Sequence, residues 1–451
     1  MDQSGSLHHG LLALRRLFGA HSGENQAEIL WLVVTEYQIQ NSLGYFTLDN
    51  ASNNLSTLRC LNTKLSRFQQ HSILASRSSS SDNSRYIRCY GHVLNLVVKV
   101  FLYSKKPIRL VSSNEKKTIE KENEEIEKWR KIGPLGKLRN IIVWIHGSPQ
   151  RHEAFCHTVH EILSKTTQAR ELILGNVTRW TGDYDGLERA LQFRYAISFH
   201  VENLIRLDHN STLVKDLLTP TDWFHLQLIF DFLKPFRDET LRLEGHRTQG
   251  SLFDIYPSLE LLWRHLIATQ SSLKGQLPFL DISFQLAVDK MSKYYSLSSL
   301  SPIICVSVIL NPNMDNFFED QDNGWGLRPE WGMKAKRLVQ ELWESSYKHL
   351  SLHTASIPSP SSPKRTQDPE SISNSTSSNV RSFKKAKLTT QVHIDESTRY
   401  QLWVESNEHT VEQPILWWLK SRKLYPRLSI LALDALSVPA MSAECERVFS
   451  R

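Results

Sequence analysis

"GYFTLDNASNN", residues 44–54, is the stretch on which the fold turns. Tyr45 to Leu48 are strand formers, Asp49 ends the run, and Asn50, Asn53 and Asn54 are turn and cap residues that can start a helix just beyond. The pattern predicts a strand over 44–49 with Asp49 where strand meets loop, its carboxylate at the edge of a sheet. Such edges hold hard cations such as Mg²⁺, through one or two carboxylates plus water and phosphate oxygens. An aspartate in this position also makes an Asx-turn, in which the carboxylate binds its own backbone two residues on. The local spacing leaves both readings open.

The surrounding chain has 451 residues, 40% of them hydrophobic and 10% aromatic, enough for several domains and a large core. Lysine and arginine number 54 against 47 acids, and the pI is about 9.0. That excess permits nucleic acid as a partner without requiring it. The five cysteines, Cys60, Cys89, Cys156, Cys305 and Cys445, lie far apart with no CxxC, so the spacing supports neither a disulfide framework nor a zinc finger. The N-terminal apolar patch is interrupted by arginines and predicts no secretory leader. No stretch approaches the roughly 18 apolar residues of a membrane span.

Three segments break the chain. Residues 76–85, "SRSSSSDNSR", are a serine-rich interruption. Residues 112–131 are a dense charge run, read as a solvated helix or linker. Residues 353–388 are rich in Ser, Pro and Asn and too poor in apolar residues to fold. Between them, 25–40 read as an amphipathic helix and 86–103 as a short strand running into a buried helix. From 135 to 350 helices dominate. The clearest is 221–240, with Trp223, Leu226, Phe230 and Leu233 at helical spacing, Thr221 or Asp222 as its cap, and Pro235 expected to bend or shorten it. Residues 411–437 read as two helices joined at "LYPRLS", and 441–451 begin another.

Several motifs sit on this framework. "RCYGHVLNL" (88–96) contains a CxxH, Cys89 and His92; two ligands do not close a tetrahedral zinc site, and a strand-to-helix corner explains them equally. "GNVTRWTGDYDGLERAL" (175–191) places Arg179 beside Trp180, either a platform for a phosphate and an unpaired base or a packing cap at a helix start. "PRLSILALDALSVPAMSAECERVFSR" (426–451) is an apolar helix followed by Glu446–Arg447. The apolar run "ILALDALSVPAM" and the pair Trp417–Trp418 suggest either a self-association surface or a buried aromatic cluster.

In this order, "HSGEN", "LDNASNN", "RCxxHxLNL", "TRW" and the terminal "PAMSAECERVFS" resemble the hAT superfamily of DNA transposases, in its fungal branch, over roughly residues 11–352 and 397–451. The resemblance implies an α/β, mostly α fold: a partial RNase H-like core interrupted by a large all-helical insertion, with C-terminal hAT dimerisation helices. It divides the chain into 1–110 (partial catalytic core), 111–131 (charged linker), 132–352 (helical insertion), 353–396 (Ser/Pro-rich linker) and 397–451 (dimerisation region with the last part of the core). It implies Asp49 and Glu446 as catalytic, metal-binding members of an Asp, Asp, Glu triad, Arg179 and Trp180 as DNA-binding, and Cys89 and His92 as a structural CxxH. It implies Mg²⁺ or Mn²⁺ as cofactor, transposon-end DNA as partner, a homo-oligomer through residues 411–451, no membrane association and a nuclear location. "PKRT" (363–366) and "RSFKKAKL" (381–388) fit import signals.

The departures shape the remaining expectations. Only Asp2 precedes "HSGEN", so the family's first aspartate has no counterpart; no N-terminal zinc finger is present; and the chain stops one residue past "ERVFS". At the RW motif Gly175 stands where the family has an acid. The expectation is a transposase-derived chain, truncated at both ends and catalytically incomplete. The alternative is a non-catalytic module for dimerisation and nucleic-acid binding.

Overall fold

A computed structural model describes residues 10–70, 85–103, 119–163, 171–175, 179–208, 211–244, 250–299, 301–314, 316–350, 395–406 and 411–442. Two strands and sixteen α-helices lie within these residues. The strands β1 (Phe46–Leu48) and β2 (Tyr86–Arg88) are parallel, with Phe46 opposite Tyr86, Thr47 opposite Ile87 and Leu48 opposite Arg88. Parallel neighbours need a crossover, and the helix α2 (Ser52–Gln70) lies on it. Helix α1 (Gly23–Glu36) precedes β1 and packs on α2. Ala27, Val34, Leu58, Leu61 and Leu65 are buried in this pair. Gly23 permits the approach: a Cβ there would meet Ser56 Oγ at 2.0 Å.

Helix α3 (Tyr90–Tyr103) follows β2 after one residue and is the axis of the molecule. Seven of its side chains, from Tyr90 to Leu102, are buried, each apolar one contributing roughly 1.5–3 kcal/mol by removal from water. After it come α4 (Ile119–Arg130), α5 (Pro134–His146), α6 (Pro149–Ile162), α7 (Trp180–Gln192), α8 (Arg194–Leu207), α9 (Pro220–Leu243), α10 (Ile255–Leu273), α11 (Pro278–Ser298), α12 (Pro302–Ile309) and α13 (Pro329–Leu342), of which α7, α9 and α11 pack on it. Its closest partners are α11 and α9, where the Phe101 ring packs 4.4 Å from Phe232 and 5.0 Å from Phe284. A π-turn, Trp343–Tyr347, follows α13; then come α14 (Glu396–Ser406), α15 (Pro414–Ser421) and α16 (Leu428–Leu436). One continuous core runs from Ile87 to Met441.

The mostly helical architecture agrees with the sequence. Helix α4 lies within the charge run, where Arg130 leaves solvent to bind Asp216 through Nε and Nη2, at 2.9 and 2.6 Å. Helix α9 starts earlier than expected: Thr219, not Thr221 or Asp222, is the cap, and Asp222 closes a capping box with it. Pro235 does not shorten the helix, which continues to Leu243. Leu233, Phe236, Thr240 and Leu243 are buried along one face, which offsets the roughly 3 kcal/mol cost of an interior proline. Residues 353–388 and 443–451 lie outside the described residues, and with them the linker, the import signals and the expected last helix.

A buried polar knot locks the far end of the bundle. Glu260, 1% exposed, accepts from Arg264 Nε at 2.7 Å, from Arg328 at 2.6 Å and from the Tyr295 hydroxyl. Trp325 Nε1 donates to that hydroxyl at 2.6 Å.

Candidate functional site

Both parallel strands end at the same edge, and the helices that follow them begin there. Ligands of open parallel sheets bind at such carboxyl ends. Asp49 is exposed one residue beyond β1. Its Oδ1 accepts the Ala51 N–H at 3.0 Å, an Asx-turn, and the Asn54 side-chain amide at 2.6 Å. Asn54 also donates to the Asp49 carbonyl. The Tyr86 hydroxyl donates to the same carbonyl at 2.7 Å and to Asn50 Oδ1 at 3.3 Å. Burial raises the Tyr86 pKa, opposed by Arg88 and reinforced by Asp49. The Asn50 Nδ2 is buried without a hydrogen-bond partner among the described residues.

Beside Asp49, Cys89 bridges β2 and α3. Its N–H donates to the Leu48 carbonyl at 2.7 Å, extending the strand ladder, and its buried Sγ accepts the Ser442 N–H at 3.3 Å. The Tyr90 N–H donates to the Ala440 carbonyl at 3.0 Å, and Thr47 Oγ1 donates to the Pro439 carbonyl at 3.1 Å. The segment after α16 is therefore held against the ends of both strands. Gly91 leaves room for it, since a Cβ there would sit 3.0 Å from Met441 Sδ. Cys89 acts as a joint, and His92 lies on the first turn of α3, partly buried.

The RW pair meets the same helix. Arg179 is the N-cap residue of α7 and is partly buried. Trp180 donates its N–H to Asn95 Oδ1 at 3.1 Å, so "LNL" and "TRW" touch although 85 positions separate them. The Trp180 side chain is 2% exposed and packs edge-on to Tyr184. In this structure the indole fills the core and offers no face to a base, so the packing-cap reading fits it. Gly175, where a Cβ would fall 2.4 Å from Asp183 Oδ1, lets that carboxylate close against the backbone. Asp183 has its pKa pushed up to about 6 by burial, against the opposing effects of Tyr103, Lys99 and Arg139.

Asn95 and Tyr86 were not singled out in the sequence. Asn95 carried a usable signal, an amide inside an otherwise apolar helix. Glu446 lies outside the described residues, so its distance to Asp49 is not defined. Among the described residues no three His, Cys, Asp or Glu side chains form a group able to hold a metal ion. Asp49, with one oxygen already holding its own turn, does not make a two-metal site alone, and no chemical step is derived through one.

The C-terminal helices pack into the core of this chain. All but two residues of α16 are buried inside this chain, and the Trp418 indole donates to the Leu310 carbonyl at 2.6 Å. The apolar run and Trp418 thus form the buried cluster. Among the described residues, the large apolar side chains this region leaves open are Leu402 and Leu424, each about half exposed (50% and 51%).

Two family models match the two regions brought together here. Residues 87–232 match the ZBED1 RNase-like helical domain, and residues 399–451 match the hAT family C-terminal dimerisation region. Both matches support the resemblance to the hAT superfamily. Among its relatives, a protein of Talaromyces stipitatus named as a transcriptional regulator, tpeD, is 23% identical over 98% of this chain and 46% of its own length. A maize (Zea mays) protein named as an AC transposase is 21% identical over 100% of this chain and 50% of its own. The zinc finger BED domain-containing protein DAYSLEEPER of Arabidopsis thaliana is 22% identical over 62% of this chain and 37% of its own. The chain thus spans about half, or less, of the length of these relatives. No helix among its described residues is long and apolar enough to cross a membrane.

Proposed function

We propose that this hAT-derived chain works as a self-associating, DNA-binding module in the nucleus, the strand edge facing DNA and the C-terminal region joining two copies. The observation that carries this reading is the convergence of motifs on α3. β1 pairs with β2, the segment at 438–442 is bonded to Cys89 and Tyr90, and Trp180 is bonded to Asn95. An insertion, a strand edge and a dimerisation region tied to one helix form a rigid body that can hold a duplex in fixed register. Arg179 would meet a phosphate, while Trp180 would act from inside by fixing α7. Sedimentation of the full chain tests the self-association: a species of twice the chain mass at micromolar concentration supports it, and a monomer throughout the range overturns it.

A second reading is metal-dependent cleavage and transfer at transposon ends, with Asp49 and Glu446 as ligands of Mg²⁺ or Mn²⁺. It is favoured by the placement of Ser442 at the end of β2. Nicking of transposon-end DNA that depends on Mg²⁺ or Mn²⁺ and is abolished by Asp49→Ala would establish this reading over the first.

A further inference from the structure

The exposed face of α2 has the chemistry of a phosphate track. From Ser52 to Gln70 the helix contains Arg59, Lys64 and Arg67 and no acid. Ser52, Ser56, Arg59, Thr63 and Arg67 recur at spacings of three and four, which places them on one side of the helix. Ser52, Arg59, Thr63 and Arg67 are exposed and Ser56 partly so. Among the described residues neither Arg59 nor Arg67 has an ion pair, whereas Lys64 is held by Glu28 at 2.7 Å. Thr63 Oγ1 donates to the Arg59 carbonyl, leaving its lone pairs outward.

The neighbouring helix carries the opposite charge. α1 contains Glu24, Glu28 and Glu36 and no Lys or Arg. Two of these acids are already paired, Glu28 with Lys64 and Glu36 with Arg15, so among the described residues they leave the charges of Arg59 and Arg67 uncompensated. The stripe begins three residues after Asp49. Arg59 and Arg67 are about 12 Å apart along the axis at 1.5 Å per residue, a span that covers phosphates of one DNA strand. Hydroxyl and guanidinium groups with no apolar side chain between them suit phosphate oxygens rather than base faces.

We infer that α2 is a rail for the backbone of duplex DNA, with Arg59 and Arg67 as its two charged contacts and the strand led toward Asp49. The inference rests on the DNA-binding reading given above and adds the residues that do the binding.

The test is fluorescence anisotropy of the full chain with a labelled duplex between 50 and 200 mM salt. The wild type is compared with Arg59→Gln/Arg67→Gln, with Arg59→Lys/Arg67→Lys, and with Lys334→Gln/Arg337→Gln, which removes two exposed charges from α13. Two lost phosphate contacts lower the slope of log K against log salt by about 1.8, so the affinity ratio of wild type to the first variant falls roughly 12-fold across that range. The lysine variant and the α13 variant should keep the wild-type slope. If the wild type binds and the first variant keeps its slope, or if the α13 variant loses as much, the rail is overturned while DNA binding stands. If the wild type does not bind duplex DNA at all, the DNA-binding reading falls and the rail with it.

Discussion

Glu260→Ala should be among the most damaging single changes in the bundle, although it lies far from every motif. The carboxylate receives Arg264, Arg328 and the Tyr295 hydroxyl, and it ties α10 to α11 and to the loop before α13. Its removal leaves the buried Tyr295 hydroxyl without its acceptor, a cost of about 1–3 kcal/mol. The guanidinium groups are less buried, with Arg264 36% and Arg328 24% exposed, so they rehydrate in part. The loss from the ion pairs therefore falls below the roughly 3–5 kcal/mol of a fully buried pair, to about 1–2 kcal/mol. The total is about 2–5 kcal/mol, or roughly 3–7 °C in Tm for a bundle of this size. Guanidinium unfolding followed by tryptophan fluorescence, with calorimetry, measures it. Adding Arg328→Met should recover part of the loss, because the second charge then has nothing to pair with. A Glu260→Ala variant within 1 kcal/mol of wild type would refute the reasoning.

Three further outcomes follow from the same structure. Asp183 has a folded pKa near 6, above its unfolded value, so the folded state binds the extra proton between about pH 4 and 6 and stability falls as pH rises through that window. Asp183→Asn should flatten that decline and raise stability at pH 7 by up to about 3 kcal/mol, read from unfolding curves at pH 4.5 and 7; an unchanged pH profile would show that burial does not hold the carboxyl as described. Trp180→Ala should cost about 3–5 kcal/mol by emptying a core position, while Trp180→Phe should restore most stability and leave duplex affinity within twofold; a selective loss of DNA affinity in the Phe variant would return the indole to a base-stacking role. Asp216→Ala should destabilise by about 3 kcal/mol because Arg130 and the buried Asn140 amide both bind it, and equal stability of the variant in urea would argue against that network.

The path from strand to turn to helix at 44–54 was legible because its signals are local: strand formers, then Asp49, then asparagines. The structure adds that Asp49 does make the Asx-turn, a role that occupies one oxygen and leaves the residue at the strand edge. The buried axis at 86–103 was legible for the same reason, as a strand that runs on into an apolar helix. What escaped were partners distant in sequence. Nothing near Trp180 announces Asn95, and nothing near Glu260 announces Tyr295 or Arg328, because these contacts exist only after the helices pack. The cap of α9 was misplaced by two residues since Thr219, Thr221 and Asp222 all have capping chemistry and only backbone geometry selects among them. The apolar run in α16 reads equally as interface or core, and burial decides for core.

The central claim is a DNA-bound pair of chains, and sedimentation of the full chain with a labelled duplex at micromolar concentration and 100 mM salt tests it most directly. The account predicts a complex of two chains per duplex that dissociates as salt rises. A monomer that leaves the duplex free at every salt concentration would contradict it.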